Sequence, residues 1–264
     1  AVETWLERYR EGTHTTSTGM RYSLWKESSE RLKRTLLSSN CPRRQLLVDV
    51  SELVQHDAGT GIQRVVRNIL KEWLVNPPDG YRVEPVYATL EEEYRYARQF
   101  TQTLFASERR VLVDEPIDYA PGDIFFGLDL QPQVQLAQRT FYQLLRREGV
   151  QVKFLVHDLL CITMPEFFLP GSREGFQHWL EVITENDAAV CVSQSTAQEL
   201  EHWIKQNNPS LLNRFNISCS HNGVDLEYSQ SNTRLSPDMQ ATLAQLQKYP
   251  TFLMVGTLEP RKGH

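Results

Sequence analysis

Two adjacent cations, Arg261 and Lys262, lie near the end of the sequence, between Gly256 and Gly263. An arginine guanidinium can grip a phosphate with two hydrogen bonds, and a lysine ammonium supplies a compact positive charge. Glycines let the backbone approach a ligand closely. This turn therefore suits a diphosphate, and Glu259 beside it is a further candidate site residue. Judged on residue type alone, a solvated basic turn is the alternative interpretation.

His157 and Asp158 follow an apolar run at residues 152–156. In open parallel sheets, ligands bind beyond the carboxyl ends of the strands. An imidazole or a carboxylate at such a position can polarise a hydroxyl or bind a sugar. This pair is therefore a candidate for a catalytic role, and Glu166, farther along the same loop, is a candidate site-lining residue. The alternative is a histidine that only caps the loop by hydrogen bonding.

Gly59, Thr60 and Gly61 precede a predicted helix at residues 62–70. A helix N-terminus offers free N–H groups to an anion or to hydroxyls, and glycines leave room for a ligand. The segment therefore predicts a phosphate-binding loop, with a plain turn as the alternative. It is not a G-x-G-x-x-G fingerprint, which argues against an NAD-dependent enzyme.

A second turn, at Asn222 and Gly223, follows the apolar run at 217–220. Asn-Gly is typical of turns with positive φ, so a simple turn is a strong alternative to a functional role. Because this turn also follows a strand, we include both residues and the nearby Asp225 among the candidate site-lining residues.

The elements that must position these residues alternate between strands and helices. The predicted strands are continuously apolar, which is typical of a parallel sheet covered on both faces. The expected fold is α/β, with a doubly wound, Rossmann-like parallel sheet over residues 45–225. The predicted strands lie at 45–50, 81–88, 124–127, 152–156, 188–193 and 217–220, and the predicted helices at 62–70, 132–148, 173–186 and from 195 onward.

The remaining segments are interpreted separately. Residues 1–44 are expected to be a helical extension, with an amphipathic helix at 25–37. Residues 226–250 are interpreted as a connector, and residues 251–264 as the first strand and turn of a second domain. A strand alone cannot form a domain, so we expect either a longer protein or an excised piece.

Composition excludes several classes of protein. The 264 residues carry a formal net charge of -5 and are 40% hydrophobic. A nucleic-acid-binding protein is usually basic, so nucleic acid is not an expected partner. The sequence has neither an apolar run of about 18 residues nor a C-x-x-C pair, which argues against a membrane span and against a zinc or redox motif. With no apolar leader, a cytoplasmic location is expected.

Taken together, these turns resemble those of retaining glycosyltransferases of family 4 with the GT-B fold. Residues 49–65 are similar to that family's first strand, loop and helix, and residues 157–168 to its acceptor-side loop. The turn at 222–225 matches the family's N-G-V-D turn, with His221 where many members have proline. The most specific piece, residues 252–264, resembles the opening of the second domain in bacterial polysaccharide mannosyltransferases. The likeness covers residues 45–264.

The resemblance implies roles by position. His157 would contact the transferred sugar at its reacting carbon, and Gly59 and Gly61 would lie near the donor phosphate and the acceptor. Arg261 and Lys262 would neutralise the diphosphate leaving group, so that no metal and no cofactor is strictly required. The favoured reaction is transfer of a hexose with retention, most simply mannose from GDP-mannose.

The resemblance also implies partners. The acceptor would be a lipid-linked glycan or a growing bacterial surface polysaccharide such as a lipopolysaccharide O-antigen, reached at the inner face of the cytoplasmic membrane, with peripheral membrane association as an option. Residues 5–29 resemble the closing helices of the same family, which suggests an adjacent glycosyltransferase module. The family's paired glutamates would lie beyond His264, so we expect the fragment to be inactive alone. The alternative function is a non-catalytic domain that binds a glycan or a partner.

Overall fold

The computed structural model describes residues 44–104, 112–223 and 236–252, together with residues 254, 256 and 262. The predicted helix at 25–37 and the candidate site residues Asp225, Glu259 and Arg261 lie outside the described residues. The strands are β1 (Arg44–Asp49), β2 (Tyr81–Tyr87), β3 (Arg95–Tyr96), β4 (Ile124–Gly127), β5 (Gln151–Val156), β6 (Ala188–Cys191) and β7 (Asn216–Cys219).

The α-helices of the described part lie between and after these strands. They are α1 (Ser51–Gln55), α2 (Gly61–Val75), α3 (Arg98–Leu104), α4 (Pro132–Ala137), α5 (Arg139–Arg147), α6 (Leu160–Thr163), α7 (Ser172–Thr184), α8 (Gln194–Asn207) and α9 (Pro237–Leu246). Two short 3-10 helices, Pro165–Phe167 and Pro209–Asn213, follow α6 and α8. No helix in the described ranges is long and apolar enough to cross a bilayer.

The seven strands form one sheet in the order β3-β2-β1-β4-β5-β6-β7. All neighbours pair in parallel except β2 and β3. Successive side chains of a strand point to opposite faces. Leu46 and Val48 therefore pack with α2 residues such as Trp73, whereas Leu47 joins the cluster that contains Trp179 of α7. Helices cover both faces, as predicted from the continuously apolar strands.

Several details differ from the sequence prediction. The sheet is mixed, because β3 pairs antiparallel with β2 through Val86–Tyr96 and Tyr87–Arg95. A two-residue strand in a charged segment leaves no periodic signal. The predicted helix at 132–148 is two helices separated at Gln138, whose side-chain amide donates to the carbonyls of Thr89 (3.1 Å) and Glu92 (3.0 Å).

Helices α1 and α6 are further differences, because both lie in segments predicted to be loops. The segment after residue 236 contains α9, so it is partly helical as expected, and its role as a connector stays a prediction. Thr251 and Phe252 are exposed and are not in a strand. Met254 and Gly256 are not in a strand either, and residues 253 and 255 lie outside the described part. The predicted strand at 251–256 is therefore not seen in the described residues, and the assignment of a second domain there stays a prediction.

Candidate functional site

The sheet has a topological switch point between β1 and β4. The chain leaves β1 for β2 on one side, whereas β4 pairs on the other side. In open α/β sheets, the crevice beyond the carboxyl ends of the strands at such a point is the usual ligand site. The segment at 56–61, the turn after β4 and the loop after β5 all lie at this edge, on three adjacent strands.

His157 directly follows β5 and is half-buried. The backbone of Leu128, which follows β4, accepts a hydrogen bond from its ring. The ring's Nε2 is buried and has no hydrogen-bond partner among the described residues, so we assign the bond to Leu128, and with it the ring proton, to Nδ1. Thr196 of α8 donates to the carbonyl of His157 across 3.4 Å, which ties the turns after β4, β5 and β6 together.

The imidazole of His157 is neutral at physiological pH. Burial lowers its pKa from 6.5 to about 4, although the charge of Asp158 and the bond to Leu128 act in the opposite direction. With the proton on Nδ1, the Nε2 atom carries a lone pair that can only accept. A buried acceptor without a partner is rare, and a substrate hydroxyl would satisfy it.

Asp158 has a local structural role in addition to any catalytic one. Its Oδ1 accepts a hydrogen bond from the backbone N–H of Leu160 (3.0 Å) at the start of α6. Glu166 is exposed on the 3-10 helix Pro165–Phe167. The structure therefore places both residues in the loop after β5.

The glycine segment is open to solvent and firmly attached to α2. Gly59 has φ +66°, and a Cβ at Gly59 or Gly61 would meet no described residue within 4 Å. Thr60 caps α2 in a reciprocal arrangement: its hydroxyl accepts from the N–H of Gln63 (3.3 Å), and the Gln63 side chain accepts from the N–H of Thr60 (3.1 Å). The segment thus leaves space for a ligand at a helix N-terminus.

Two buried carboxyl groups at this edge were missed by sequence reasoning. Asp49 ends β1 and Asp129 lies just after β4, with relative exposures of 0% and 2%. Burial raises the pKa of Asp129 to about 7 and also raises the pKa of Asp49. An acidic residue that ends an apolar run, at 46–49 and again at 124–129, is the signal that could have found them.

The other predicted site residues lie farther from the switch point or are undescribed. Asn222 and Gly223 are exposed beyond β7, which is separated from β5 by β6. Lys262 is exposed. A cavity of about 330 Å³ lies between α8 and β7 rather than at the switch point. Within the described ranges, no group of three or more His, Cys, Asp or Glu side chains could hold a metal ion.

Comparison with known proteins shows which proteins the chain resembles in sequence. No family model matches it. Three Escherichia coli proteins, each a serotype-specific mannosyltransferase WbdA, match it over 84% of its length. One is 40% identical over 228 residues, which make up 27% of that relative, and another is 39% identical over 226 residues, also 27%.

The chain spans about a quarter of the length of the curated relatives that it matches. Their name agrees with the glycosyltransferase resemblance in the sequence, and the Rossmann-like sheet is consistent with a GT-B domain. The chain is therefore related, over most of its length, to one segment of bacterial mannosyltransferases and fits a glycosyltransferase of the GT-B type.

Proposed function

We propose that the protein containing this chain transfers mannose from GDP-mannose, with retention, to a bacterial surface polysaccharide or a lipid-linked glycan. The relatives' name supports mannosyl transfer. The observation that carries the proposal is the unpartnered Nε2 of His157, which is buried at the carboxyl edge of the sheet in a chain 40% identical, over 228 residues, to a mannosyltransferase.

In this proposal, His157 binds rather than transfers a proton. Its Nδ1 is held by Leu128, and once donor binding uncovers the buried Nε2, that atom accepts from a hydroxyl of the transferred mannose beside the reacting carbon. A pKa of about 4 keeps the ring uncharged, and a neutral acceptor does not repel the positive charge that develops on the sugar ring. Fixing one hydroxyl aligns the reacting carbon with the acceptor.

The negative charge of the reaction builds on the departing diphosphate. Cations that are already in place where charge develops stabilise the transition state. Lys262 and Arg261 are assigned this role from the sequence, with the open segment at Gly59–Gly61 close to the phosphates. The charge balance then needs no metal ion, and the remaining donor contacts belong to a second domain that contains the paired glutamates.

The proposed partners follow from the same reaction. The acceptor is a glycan or a lipid-linked glycan that is extended on the cytoplasmic side of the membrane. Peripheral attachment to that membrane, and a neighbouring glycosyltransferase module in the same protein, would keep the growing acceptor close to the site.

The test is a panel of nucleotide-sugars offered to the full-length protein with a mannose-terminated acceptor. We expect turnover with GDP-mannose above that with GDP-glucose, UDP-glucose and UDP-galactose, and an α-linked product by NMR from the α-linked donor. A β-linked product would refute retention. If no donor were turned over, catalysis would be excluded and a glycan- or partner-binding role would replace it.

A further inference from the structure

Helix α1 begins without a capping side chain of its own, because the residue at its N-cap is Val50. Its first N–H groups bind two buried carboxylates instead. The N–H of Ser51 donates to Asp49 Oδ1 (3.0 Å), and the N–H of Leu53 donates to Asp129 Oδ2 (2.7 Å). One carboxylate comes from β1 and the other from the turn after β4, so α1 is attached across the switch point.

Both carboxylates are held in place by other groups. Asp49 Oδ2 accepts from the hydroxyl of Tyr94 (2.9 Å) and from the amide of Gln135 (3.2 Å). Gln135 is itself fixed by the indole N–H of Trp179 (2.6 Å). The second oxygen of Asp129 accepts from the N–H of Leu130 (3.0 Å). Charge-assisted hydrogen bonds with fixed acceptors define a position closely.

The position of α1 sets where the glycine segment starts. Gln55, the last residue of α1, donates to the carbonyls of Ser51 (3.0 Å) and Ala88 (2.9 Å). The amide of Gln63 in α2 donates to the carbonyl of His56, which directly follows α1. The open segment at Gly59–Gly61 therefore connects α1 to the capping box of α2. The two carboxylates fix the position of α1, which lies at the start of this connection.

These carboxylates are a costly way to cap a helix of five residues. A serine or asparagine at the N-cap would satisfy the same N–H groups without burying a charge. Burial raises the pKa of Asp129, and the charges of Asp49 and Glu52 raise it further. Groups whose ionisation is disfavoured in this way concentrate at functional sites.

We propose that Asp129, together with Asp49, is a positioning residue for the transfer reaction: by capping α1 across the switch point, it fixes the Gly59–Gly61 segment against the donor phosphates. This inference rests on the proposed function. Both residues are buried, with relative exposures of 0% for Asp49 and 2% for Asp129, so the proposed role is to position the segment and not to contact the substrate.

The test compares Asp129→Ala and Asp129→Asn with a matched control, Asp123→Asn, in the full-length protein. Asp123 is also buried and accepts backbone N–H groups, those of Gln45 (2.7 Å) and Ala120 (2.9 Å), but it lies at the amino end of β4, on the opposite edge. The readouts are hydrogen–deuterium exchange of peptides covering residues 51–61 and the separate KM and kcat for GDP-mannose.

We expect Asp129→Ala to speed exchange in residues 51–61 and to raise KM by about tenfold or more, as for loss of a hydrogen bond to a charged group. The effect on kcat should be smaller, and Asp129→Asn, which keeps one acceptor oxygen, should fall between Ala and wild type. If Asp129 only stabilised the fold, its loss would lower the fraction of active protein, and hence kcat, and would leave KM unchanged. This is the result that we expect for Asp123→Asn.

Unchanged exchange and KM in a folded Asp129→Asn protein, or the same changes in Asp123→Asn, would overturn the proposal. If Asp129→Ala fails to fold, the exchange and KM of Asp129→Asn decide whether the proposal stands. If the wild-type protein transfers no mannose, the proposed function fails, and the exchange comparison alone then decides whether Asp129 fixes the glycine segment.

Discussion

The neutral imidazole of His157 makes a quantitative prediction about acid stability. Its pKa is about 4 in the folded protein, against 6.5 for the ordinary side chain, because burial disfavours the charged form. Between these two values, the unfolded chain binds a proton that the folded protein does not. The free energy of unfolding therefore falls as the pH drops from 6.5 to 4, and this contribution is fully retained above pH 6.5.

The magnitude follows from the two pKa values. At pH 4.5 the unfolded chain is almost fully protonated at this site and the folded protein mostly is not, which costs about 2.5 kcal/mol relative to pH 7.5. The variant His157→Asn removes the titration and offers an amide N–H in place of Nδ1 for the carbonyl of Leu128. Between pH 7.5 and 4.5, we expect the free energy of unfolding to fall by about 2.5 kcal/mol less in this variant than in wild type.

The assay is urea unfolding of both proteins at pH 7.5 and 4.5, with the difference taken within each protein. The contributions of other titrating groups cancel, because they are present in both proteins. One of them is Asp129, whose raised pKa stabilises the folded state as the pH falls below 7. The control is His178→Asn, which replaces an exposed imidazole on α7. Equal acid losses in wild type and His157→Asn would refute the account of this histidine.

Two further predictions concern stability around the site. In Gly127→Ala, the new Cβ would lie 2.3 Å from a ring carbon of the fully buried Phe154, so we expect a loss of about 1–3 kcal/mol in urea unfolding. Gly61→Ala is its control, because a Cβ there meets open space; equal losses would contradict the packing argument. Thr60→Ala removes the cap of α2 and should cost about 1 kcal/mol, and a midpoint equal to wild type would argue against the capping box.

Much of the fold could be predicted from the sequence, because each central strand is buried on both faces and reads as an apolar run. Residues 45–50 and 124–127 show this, and the observed strands are Arg44–Asp49 and Ile124–Gly127. The antiparallel strand β3 could not be predicted, since its existence depends on pairing with β2 and not on its own two residues. Tertiary hydrogen bonding decides such short elements.

The site was predictable only where a residue type marks a strand end. His157 and the segment at Gly59–Gly61 are candidates of this kind, and their roles stay predictions. Asp49 and Asp129 were missed because their significance depends on two strands that are distant in sequence lying side by side and sharing one short helix. The unpartnered Nε2 of His157 is likewise a consequence of the packing around it.

The most direct test of the central claim is mannose transfer by full-length His157→Ala, measured beside its affinity for GDP. In the proposed arrangement, loss of the Nε2 acceptor would remove a contact to the transferred sugar and none to the nucleotide. We expect transfer to fall by about tenfold or more, with the Kd for GDP within about twofold of wild type. Wild-type transfer, or loss of GDP affinity in proportion to activity, would contradict the assignment of His157 to the reacting sugar.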